Sequence, residues 1–411
     1  MQIERDGISA FHNFVAYHSF QLESSGVPKH FWEVLCKKLN DQIFDAGNTF
    51  ELLKFECENR QTWKVTISRE DGVDIQDPIH IYLIDHAWTY RVGEAKHHLR
   101  VVSGLLERMK SLMSIEDNDC TTEDAINNVF NEMWKYNQTY SIASAISAEE
   151  RTPIWYIMDE FGTAIQHSDE PTFRAVPFIH LPQQVPYTIL FPVKNLEKGE
   201  EVTRDYVEGP FTTPDLREVL LLPWFPKSFS TDDFKQDEPD ENYFLEGHTV
   251  ESLPEENEEI IVSYKEKMKV YSQYRYVNDY LNHPKFEITC NENEADILWL
   301  TQHFTDYREL REKSPTVFVN QFPFENVITI KDLLCIVSRR VADNSKNILG
   351  TLETEPAWLP TTFTLQTELR KFVSYYQRRH EEGLDNHWIC KPWNLARGLD
   401  THVTDNFKLY C

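Results

Sequence analysis

The spacing of apolar residues predicts two helices at the N-terminus, followed by strands. Apolar side chains recur on one helical face over residues 8–22, where Gly26 and Pro28 would end the helix, and again over 32–43. The pattern then changes to strict alternation over 63–67, and an apolar run follows at 79–84. Alternation of this kind predicts strands that are buried on one face.

Helices are predicted again at 97–113 and 123–136. Between 154 and 206, prolines and glycines split short apolar runs, a pattern typical of a small, irregular β-domain. The next segment, 232–259, holds twelve acidic residues, one lysine and two prolines, with few aliphatic side chains. Such a segment buries little apolar surface, so we interpret it as a solvated linker; a functional acidic tail is the alternative.

After the acidic segment the pattern alternates between strands and helices. Strands are predicted at 268–271, 297–300, 317–320 and 388–391, with one helix through Tyr280 and another from Ile330. This alternation is typical of a mainly parallel sheet that is covered by helices. The predicted fold class is therefore α+β in the first part, with N-terminal helices and a small β-domain, and α/β in the second part.

The composition is that of a folded, acidic protein. Of the 411 residues 41% are hydrophobic, and 67 acidic against 41 basic residues give a net charge of −26. This length allows two or three domains, each with its own core. The acidic segment alone contributes −11 of the charge. Because the chain has no basic patch, we expect it not to bind nucleic acid directly, since phosphates carry the same sign of charge.

The cysteines and the N-terminus bear on the cellular compartment. The seven cysteines include no CxxC pair and no zinc ligand set, so we expect free thiols in a reducing environment and no metal site of this type. The N-terminus has no signal-peptide pattern, and no window is apolar enough for a membrane span. We therefore predict a cytoplasmic protein that binds no membrane; entry into the nucleus is left open.

Two segments of the first half resemble the SET domain, the fold of many lysine methyltransferases. The stretch QHSDEPT at 166–172 stands where that family has Asn-His-Ser-Cys-x-Pro-Asn, and GEEVTRDY at 199–206 stands at its Gly-Glu-Glu-Leu-Thr-x-Asp-Tyr pattern. The resemblance implies a SET-like fold built to bind S-adenosylmethionine. It also implies that Tyr206 matches the tyrosine near the methyl transfer, with His167 beside it.

The first half also departs from the SET pattern at chemically important positions. Gln166 replaces the asparagine that contacts the methyl donor, and Asp169 replaces the cysteine. Residues 60–150 lack the Gly-x-Gly turn that admits S-adenosylmethionine, and the cysteine-rich zinc segment that often follows is missing from the sequence. We therefore expect Tyr206 and His167 to be vestigial catalytic residues. On the residues alone, Tyr206 can equally be a buried tyrosine at a strand end, and His167 a hydrogen-bonded loop histidine.

Three segments of the second half resemble the tubulin–tyrosine ligase family, whose catalytic unit is an ATP-grasp fold. They are VNQFPFENVITIKDLL at 319–334, WLPTTFTL at 358–365 and WICKPWNLARGLD at 388–400. The resemblance implies ATP and Mg²⁺ as cofactors, with Lys391 facing the phosphates and Arg397 and Gly398 in the loop over them. An ammonium group at a strand end suits phosphate, and glycine allows close backbone approach. Taken alone, Lys391 reads as a solvated lysine after a strand.

From about Phe11 to Thr404 the chain resembles members of this family in which a SET-like region precedes the ligase-like region. We predict an N-terminal helical segment (1–58), a SET-like domain (59–230), the acidic linker (231–262) and an incomplete ligase-like domain (263–411). In the family, the adenine hinge, further arginines and the magnesium-binding acids follow the Arg-Gly loop. We therefore expect a C-terminally truncated form in which ATP binding is incomplete and strand 388–391 has an open edge.

The function predicted from these resemblances is that of a pseudoenzyme. We expect a non-catalytic cytoplasmic scaffold or regulator linked to microtubules or tubulin modification, with tubulin or other proteins as partners. One alternative is an ATP-dependent tubulin amino-acid ligase, which needs the rest of the ATP-grasp. The other alternative is a SET-type lysine methyltransferase that acts through Tyr206. Binding of S-adenosylmethionine separates this second alternative from the other two functions.

Overall fold

The computed structural model of the chain describes residues 2–57, 60–116, 121–140, 153–209, 213–245, 250–255, 265–341, 352–354, 356–392 and 398–406. The backbone divides into two compact units, one formed by Met1–Thr231 with Tyr376–Cys411 and the other by Asp232–Tyr375. Both units mix helices and strands, which confirms the predicted fold class. In the described part of the chain, no helix has the length and apolar character that crossing a membrane requires.

The elements of the first 231 residues alternate irregularly between helix and strand. The helices are α1 (Gln2–Ser24), α2 (Trp32–Asp41), α3 (Ala95–Val101), α4 (Leu105–Leu112), α5 (Thr122–Glu132), α6 (Glu160–Ala164) and α7 (Pro214–Leu220). The strands are β1 (Phe50–Cys57), β2 (Arg60–Ile67), β3 (Tyr82–Ile84), β4 (His86–Tyr90), β5 (Asn137–Tyr140), β6 (Ile154–Met158), β7 (Gln166–His167), β8 (Phe173–His180), β9 (Val185–Pro192) and β10 (Glu201–Arg204). Short 3₁₀ turns include Ala46–Asn48, Pro78–His80 and Val92–Glu94.

The two predicted N-terminal helices are present and share one core with β3, β8 and β9. Helix α1 ends at Gly26, whose positive φ of 67° lets the N–H of Val27 reach the carbonyl of Leu22 at 2.9 Å. A Cβ atom at Gly26 would lie 2.6 Å from Nη1 of Arg174. The positive φ therefore favours glycine after this helix, and a larger residue would also displace the Arg174 guanidinium.

The β-domain consists of three sheets with strand orders β1-β2-β10-β7, β3-β9-β8 and β4-β6-β5. Val65 and Ile67 of β2 are fully buried, in agreement with the predicted alternation. Strand β3 is shorter than the predicted strand at 79–84. The reason is that Pro78 starts a 3₁₀ turn, in which the Asp77 carboxylate accepts a hydrogen bond from the N–H of Ile79 at 3.1 Å. Helices α3, α4 and α5 form a separate core with β4 and β6.

The second half contains a parallel sheet with the order β12-β11-β13-β14. Its strands are β11 (Met268–Ser272), β12 (Phe286–Ile288), β13 (Ile297–Trp299) and β14 (Phe318–Val319), and the chain continues with β15 (Trp388–Cys390) and β16 (His402–Thr404). The helices are α8 (Glu241–Leu245), α9 (Arg275–Tyr280), α10 (Tyr307–Lys313), α11 (Asn326–Thr329), α12 (Lys331–Arg339) and α13 (Leu365–Glu381). The parallel arrangement is as predicted. Strand β12 was not predicted.

The beginning of the acidic segment is packed against helices, where the sequence predicts a solvated linker. Asp232 Oδ2 lies 2.9 Å from Nε of Arg370, and Asp237 Oδ2 lies 2.8 Å from Nζ of Lys371. The backbone carbonyl of Asp232 accepts a hydrogen bond from Oγ of Ser374 at 2.8 Å. Opposite charges and hydrogen bonds, which need no aliphatic residues, therefore hold this part of the segment on α13.

Strand β15 pairs with β16 in an antiparallel ribbon, with Ile389 opposite Val403. The sequence instead placed this strand in the parallel sheet with one edge open. The difference arises because the residues after Gly398 fold back onto β15. The ribbon is tied to α13, since the hydroxyl of Tyr376 donates to the carbonyl of Asp405 at 2.5 Å and the amide of Asn386 donates to the carbonyl of Tyr376 at 2.9 Å. It belongs to the first compact unit.

Candidate functional site

The two SET-like sequence segments lie side by side in the fold. Strand β7 pairs in parallel with β10, with Gln166 opposite Thr203 and His167 opposite Arg204. A further backbone hydrogen bond runs from the N–H of Ser168 to the carbonyl of Arg204 at 3.0 Å. The pairing brings His167 and Tyr206 together, with their ring centres 5.1 Å apart. The motif similarity thus corresponds to a real spatial cluster.

The Tyr206 side chain makes contacts through both its hydroxyl group and its ring. Its hydroxyl donates a hydrogen bond to the carbonyl of Ile165 at 3.1 Å, and its ring centre lies 4.7 Å from that of Trp224. Burial raises the pKa of the phenol, and the nearby guanidinium of Arg204 opposes this rise. The phenol is therefore protonated at neutral pH and held by the backbone.

Arg204 lies on the face of the Tyr206 ring. Its guanidinium carbon is 4.6 Å from the ring centre, and the residue is only 6% exposed. Within the described residues its Nε atom has no hydrogen-bond partner. Burial lowers the pKa of the guanidinium, as expected for a cation removed from water. The cation–π contact with Tyr206 and the negative charge of Asp205 both stabilise this guanidinium.

His167 lies between two carboxylates. Its Nδ1 accepts a hydrogen bond from the N–H of Tyr206 at 3.2 Å, so the proton of the neutral ring is on Nε2. Nε2 is 3.4 Å from Oδ1 of Asp169, and Nδ1 is 3.8 Å from Oδ1 of Asp205. Burial lowers the pKa of His167, and the two carboxylates counteract this effect. His167 therefore stays neutral at pH 7 and helps to fix the backbone of Tyr206.

Arg217 on α7 holds both carboxylates. Its Nη1 and Nη2 atoms lie 2.6 and 2.9 Å from the two oxygens of Asp205, and Nη2 lies 2.6 Å from Oδ1 of Asp169. The guanidinium lowers the pKa of Asp169 through these hydrogen bonds. Asp169, which replaces the cysteine of the SET pattern, therefore has a structural partner of its own.

Gln166 makes two hydrogen bonds to the backbone. Its Nε2 donates to the carbonyl of Trp63 at 2.9 Å and to the carbonyl of Ala164 at 3.1 Å. Both N–H groups of the side-chain amide therefore donate to backbone carbonyls. Gln166 is the residue at the position that contacts the methyl donor in the SET pattern. With its donors occupied, and with a buried cation beside Tyr206, the residues present do not fit S-adenosylmethionine, whose reactive sulfonium is itself a cation.

The ligase-like site residues are only partly described. Lys391 is exposed directly after β15, and Gly398 is exposed with a φ of 72°. Arg397 lies outside the described residues, so its place relative to the other two is not part of the described geometry. Among the described residues no group of three His, Cys, Asp or Glu side chains is arranged to hold a metal ion. Lys391 and Gly398 alone therefore do not make up a binding site for Mg-ATP.

Sequence reasoning missed Arg204 and Arg217. Arg204 stands at the variable position of the Thr-x-Asp-Tyr pattern, and Arg217 lies beyond the motif on α7. An acidic residue in place of the motif cysteine, Asp169, was the one available signal, because a carboxylate near a second carboxylate requires a cation. The sequence alone does not indicate which of the 41 basic residues supplies it.

Two family models match parts of this chain. Residues 54–228 match the tubulin tyrosine ligase SET-like domain, and residues 309–409 match the tubulin-tyrosine ligase family. Both resemblances seen in the sequence are thereby confirmed.

The chain is also similar to whole proteins. It is 43% identical over 426 residues to tubulin–tyrosine ligase-like protein 12 of Homo sapiens, covering 98% of this chain and 64% of that protein. The Caenorhabditis elegans protein of the same name is 32% identical over 464 residues, covering 97% of this chain and 68% of that protein. The chain thus spans about two thirds of the length of these curated relatives.

A solved SET structure also resembles part of the chain. It is the Neurospora SET domain protein DIM-5, a histone lysine methyltransferase, with a TM-score of 0.22 and 17% identity over 42% of this chain and 57% of that chain. A likeness of this size carries no argument about function.

Proposed function

Since this chain belongs to the tubulin–tyrosine ligase-like protein 12 family, we propose that it is a non-catalytic binding protein, a cytoplasmic scaffold or regulator linked to microtubules and tubulin modification. One observation carries the proposal: the hydroxyl of Tyr206 is bound to the carbonyl of Ile165 beneath the buried guanidinium of Arg204. The residue that would serve methyl transfer is used here as part of the domain's internal structure.

Charge is the physical reason that this arrangement disfavours methyl transfer. In such a reaction a neutral amine attacks the methyl group of a sulfonium, so the site must hold a positive donor close to the tyrosine. Arg204 already places a positive charge 4.6 Å from the centre of that ring, in surroundings with little water to screen it. Two like charges at close range in a protein interior repel each other strongly. The cluster therefore favours structural stability over donor binding.

The ligase-like region is proposed to act as a binding surface as well. Lys391 follows a three-residue strand whose described neighbour is the antiparallel β16, while a phosphate site needs several groups fixed around one point. We expect titration of this chain with Mg-ATP to give no saturable heat at millimolar concentration. A micromolar dissociation constant that is lost in Lys391→Ala would show that a nucleotide site exists.

Methyl transfer is the activity that tests the proposal. The chain is incubated with labelled S-adenosylmethionine and with tubulin, histone peptides or itself as acceptor. We expect no incorporation above the no-enzyme control, either in the natural chain or in Arg204→Met. Incorporation by the natural chain that disappears in Tyr206→Phe would overturn the proposal, because it would show that the phenol reaches a bound donor.

Binding to tubulin is tested by co-sedimentation with microtubules. The chain carries a net charge of −26, so the acidic C-terminal tails of tubulin repel it. We expect the chain to pellet with microtubules, and to do so equally well or better after those tails are removed. Failure to pellet under either condition would contradict the microtubule link. Loss of binding after tail removal would point instead to a site for the tail itself.

A further inference from the structure

The first compact unit contains a cavity that is separate from the Tyr206 cluster, which consists of Gln166, His167, Asp169, Arg204, Asp205, Tyr206 and Arg217. It has a volume of about 350 Å³ and is open to solvent between β1, β3, the 3₁₀ turn Ala46–Asn48 and the start of α6. This volume is near the lower end of ligand pockets, which are about 300–1,000 Å³. The cavity belongs entirely to the first compact unit.

Three phenylalanine rings contribute to the cavity wall. Phe50 is buried, and its ring is held 5.2 Å from Phe161 and 4.7 Å from Tyr82 between centres. Phe44 lies at the rim, 48% exposed, with its ring centre 5.9 Å from that of Tyr187. Leu83 and Ile84 line the rest of the wall together with Leu52. The wall is therefore aromatic and aliphatic over most of its surface.

A single carboxyl group, that of Asp159, faces this apolar wall. Its Oδ1 accepts a hydrogen bond from the N–H of Gly162 at 2.8 Å, which fixes the side chain at the start of α6. Burial raises the pKa of Asp159 to about 6, so the group is ionised at pH 7. None of the residues that line the cavity is basic. Asp159 is partly buried, and a nearby base, Arg108, is hydrogen-bonded to the neighbouring Glu160. A carboxylate that no lining residue neutralises favours a cationic occupant.

We propose that this cavity binds a methylated ammonium group, the trimethyllysine side chain of a partner protein. Aromatic faces together with a carboxylate attract such a cation by its charge, and they can also pack against its methyl groups. An unmethylated ammonium is strongly hydrated and would lose water that the phenyl rings cannot replace. A neutral apolar ligand would cover the Asp159 carboxylate without supplying a positive charge to it. The proposal does not depend on the non-catalytic role of Tyr206 and goes beyond it.

The test uses the full 411-residue chain and three synthetic peptides of one sequence. The first carries trimethyllysine, the second unmodified lysine and the third a neutral isostere in which a tert-butyl group replaces the trimethylammonium. Affinity is measured by fluorescence anisotropy at pH 7.5. We expect the trimethyllysine peptide to bind roughly tenfold more tightly than either of the others, equivalent to about 1.4 kcal/mol. Equal binding of the neutral isostere, or tighter binding of unmodified lysine, would overturn the proposal.

Two variants locate the binding in the cavity. Asp159→Asn keeps an oxygen to accept the Gly162 N–H but removes the charge, and we expect it to weaken trimethyllysine binding about tenfold while binding of the isostere is unchanged. The matched control is Asp77→Asn, at a carboxylate that accepts from the N–H of Ile79 outside the cavity. Unchanged trimethyllysine binding in Asp159→Asn would overturn the proposal.

A second variant fills the cavity without altering its charge. Gly47 lines the cavity in the turn Ala46–Asn48, and a Cβ atom there meets no heavy atom within 4 Å beyond its chain neighbours, so Gly47→Leu adds a large side chain at the cavity wall without a clash at Cβ. Gly93 also lies in the middle of a 3₁₀ turn with open space around its Cβ position, but it does not line the cavity, so Gly93→Leu is the control. We expect Gly47→Leu alone to abolish binding. Full binding by Gly47→Leu would contradict the cavity as the site.

Discussion

At the residue scale, Asp159 makes a prediction about stability that is separate from any ligand. Burial is the main cause that raises its pKa from 3.8 to about 6, and the charges of Glu160 and Asp85 contribute to this rise. The folded state therefore binds the proton more tightly than the unfolded chain, and the natural protein loses stability as the pH rises from about 4 through 6. We expect Asp159→Asn to raise the free energy of unfolding by roughly 1–3 kcal/mol above pH 6.

The measurement is urea unfolding of the natural chain and Asp159→Asn at several pH values. The difference in free energy of unfolding between Asp159→Asn and the natural chain is expected to be near zero at pH 3, because the asparagine oxygen keeps the hydrogen bond from Gly162. The difference should grow as Asp159 ionises and become constant near pH 7. An advantage that is the same at every pH would mean that ionisation of Asp159 is not the cause.

Among the partly exposed residues of the Tyr206 cluster, Arg217 is expected to lose the most folding stability when it is replaced. Arg217→Ala leaves the Asp205 side chain, 13% exposed, without its paired hydrogen bonds, and we expect a loss of about 1–3 kcal/mol at pH 8. At pH 5 the loss should be smaller. Removal of Arg217 takes away a charge that lowers the pKa of His167, and a protonated His167 can then neutralise Asp205.

The control for this prediction is Arg100→Ala. Arg100 also makes paired hydrogen bonds to one carboxylate, that of Glu123, but both side chains of this pair are about half exposed. Exposed pairs contribute little, so we expect hardly any change in unfolding. Equal effects of the two substitutions would contradict the structural role of Arg217.

The residues of the Tyr206 cluster were predictable only where a motif names them. Tyr206, His167 and Gln166 stand at fixed positions in a pattern. Arg204 stands at a variable position of the pattern, and its burial against the Tyr206 ring is a result of tertiary packing. Asp159 was likewise not identified, because its environment is formed by Phe44 and Phe50, more than a hundred positions earlier in the chain.

At the element scale, Glu368 connects the acidic segment to α12 and α13. Its carboxylate lies 2.7 Å from Nη1 of Arg339 and accepts from Nε2 of Gln236 at 2.8 Å, and its side chain is 7% exposed. Glu368→Ala leaves the guanidinium of Arg339 buried and unpaired. We expect this to destabilise the second unit by about 3–5 kcal/mol and to release residues 232–240 for cleavage by a Glu-specific protease.

Two further variants test whether loss of the Glu368–Arg339 pair is the cause of this result. Glu309→Ala removes the partner of Lys313 in an exposed pair on α10 and should leave cleavage unchanged. Glu368→Leu combined with Arg339→Leu should recover much of the lost stability, because no buried charge remains. If Glu368→Ala were cleaved no faster than the natural chain, the contact between Gln236 and Glu368 would not be what holds the acidic segment on the helices.

The ribbon of β15 and β16 is expected to be the least protected β-structure of the first unit. Two three-residue strands form a ribbon that is marginal on its own, and Ile389 is 54% exposed. We expect the amides of Ile389 and Cys390 to exchange on the order of 100-fold faster than that of Ile189 in β9. Hydrogen-exchange mass spectrometry measures this difference. Equal protection would show that the hydrogen bonds of Tyr376 and Asn386 stabilise the ribbon fully.

Periodicity predicted several elements of this chain and missed others, among them the 17-residue helix α13. Helices α1 and α2 and strand β2 carry clear periodic patterns and were predicted close to their observed places. Strand β12 has only three residues, and the pairing of β15 with β16 depends on where the following loop turns back. The local pattern of apolar residues does not indicate where a loop turns the chain back to pair with an earlier strand.

At the scale of the whole molecule, the chain combines two regions that match two different family models. The SET-like match covers residues 54–228 and the ligase-family match covers 309–409, while the compact units divide at Thr231 and again at Tyr376. The chain spans 64% of the length of its human relative, so the activity and partners of the whole protein remain proposals. The role proposed here is that of a SET-like domain kept for binding and stability.

The most direct test of that role is calorimetric titration of the 411-residue chain with S-adenosylmethionine. The donor carries a positive sulfonium, and Arg204 places a buried positive charge beside Tyr206. We predict no saturable heat up to millimolar donor, for the natural chain and for the Tyr206→Phe control alike. A saturable isotherm with a micromolar dissociation constant would contradict the account, because it would show that the SET-like domain still holds the methyl donor.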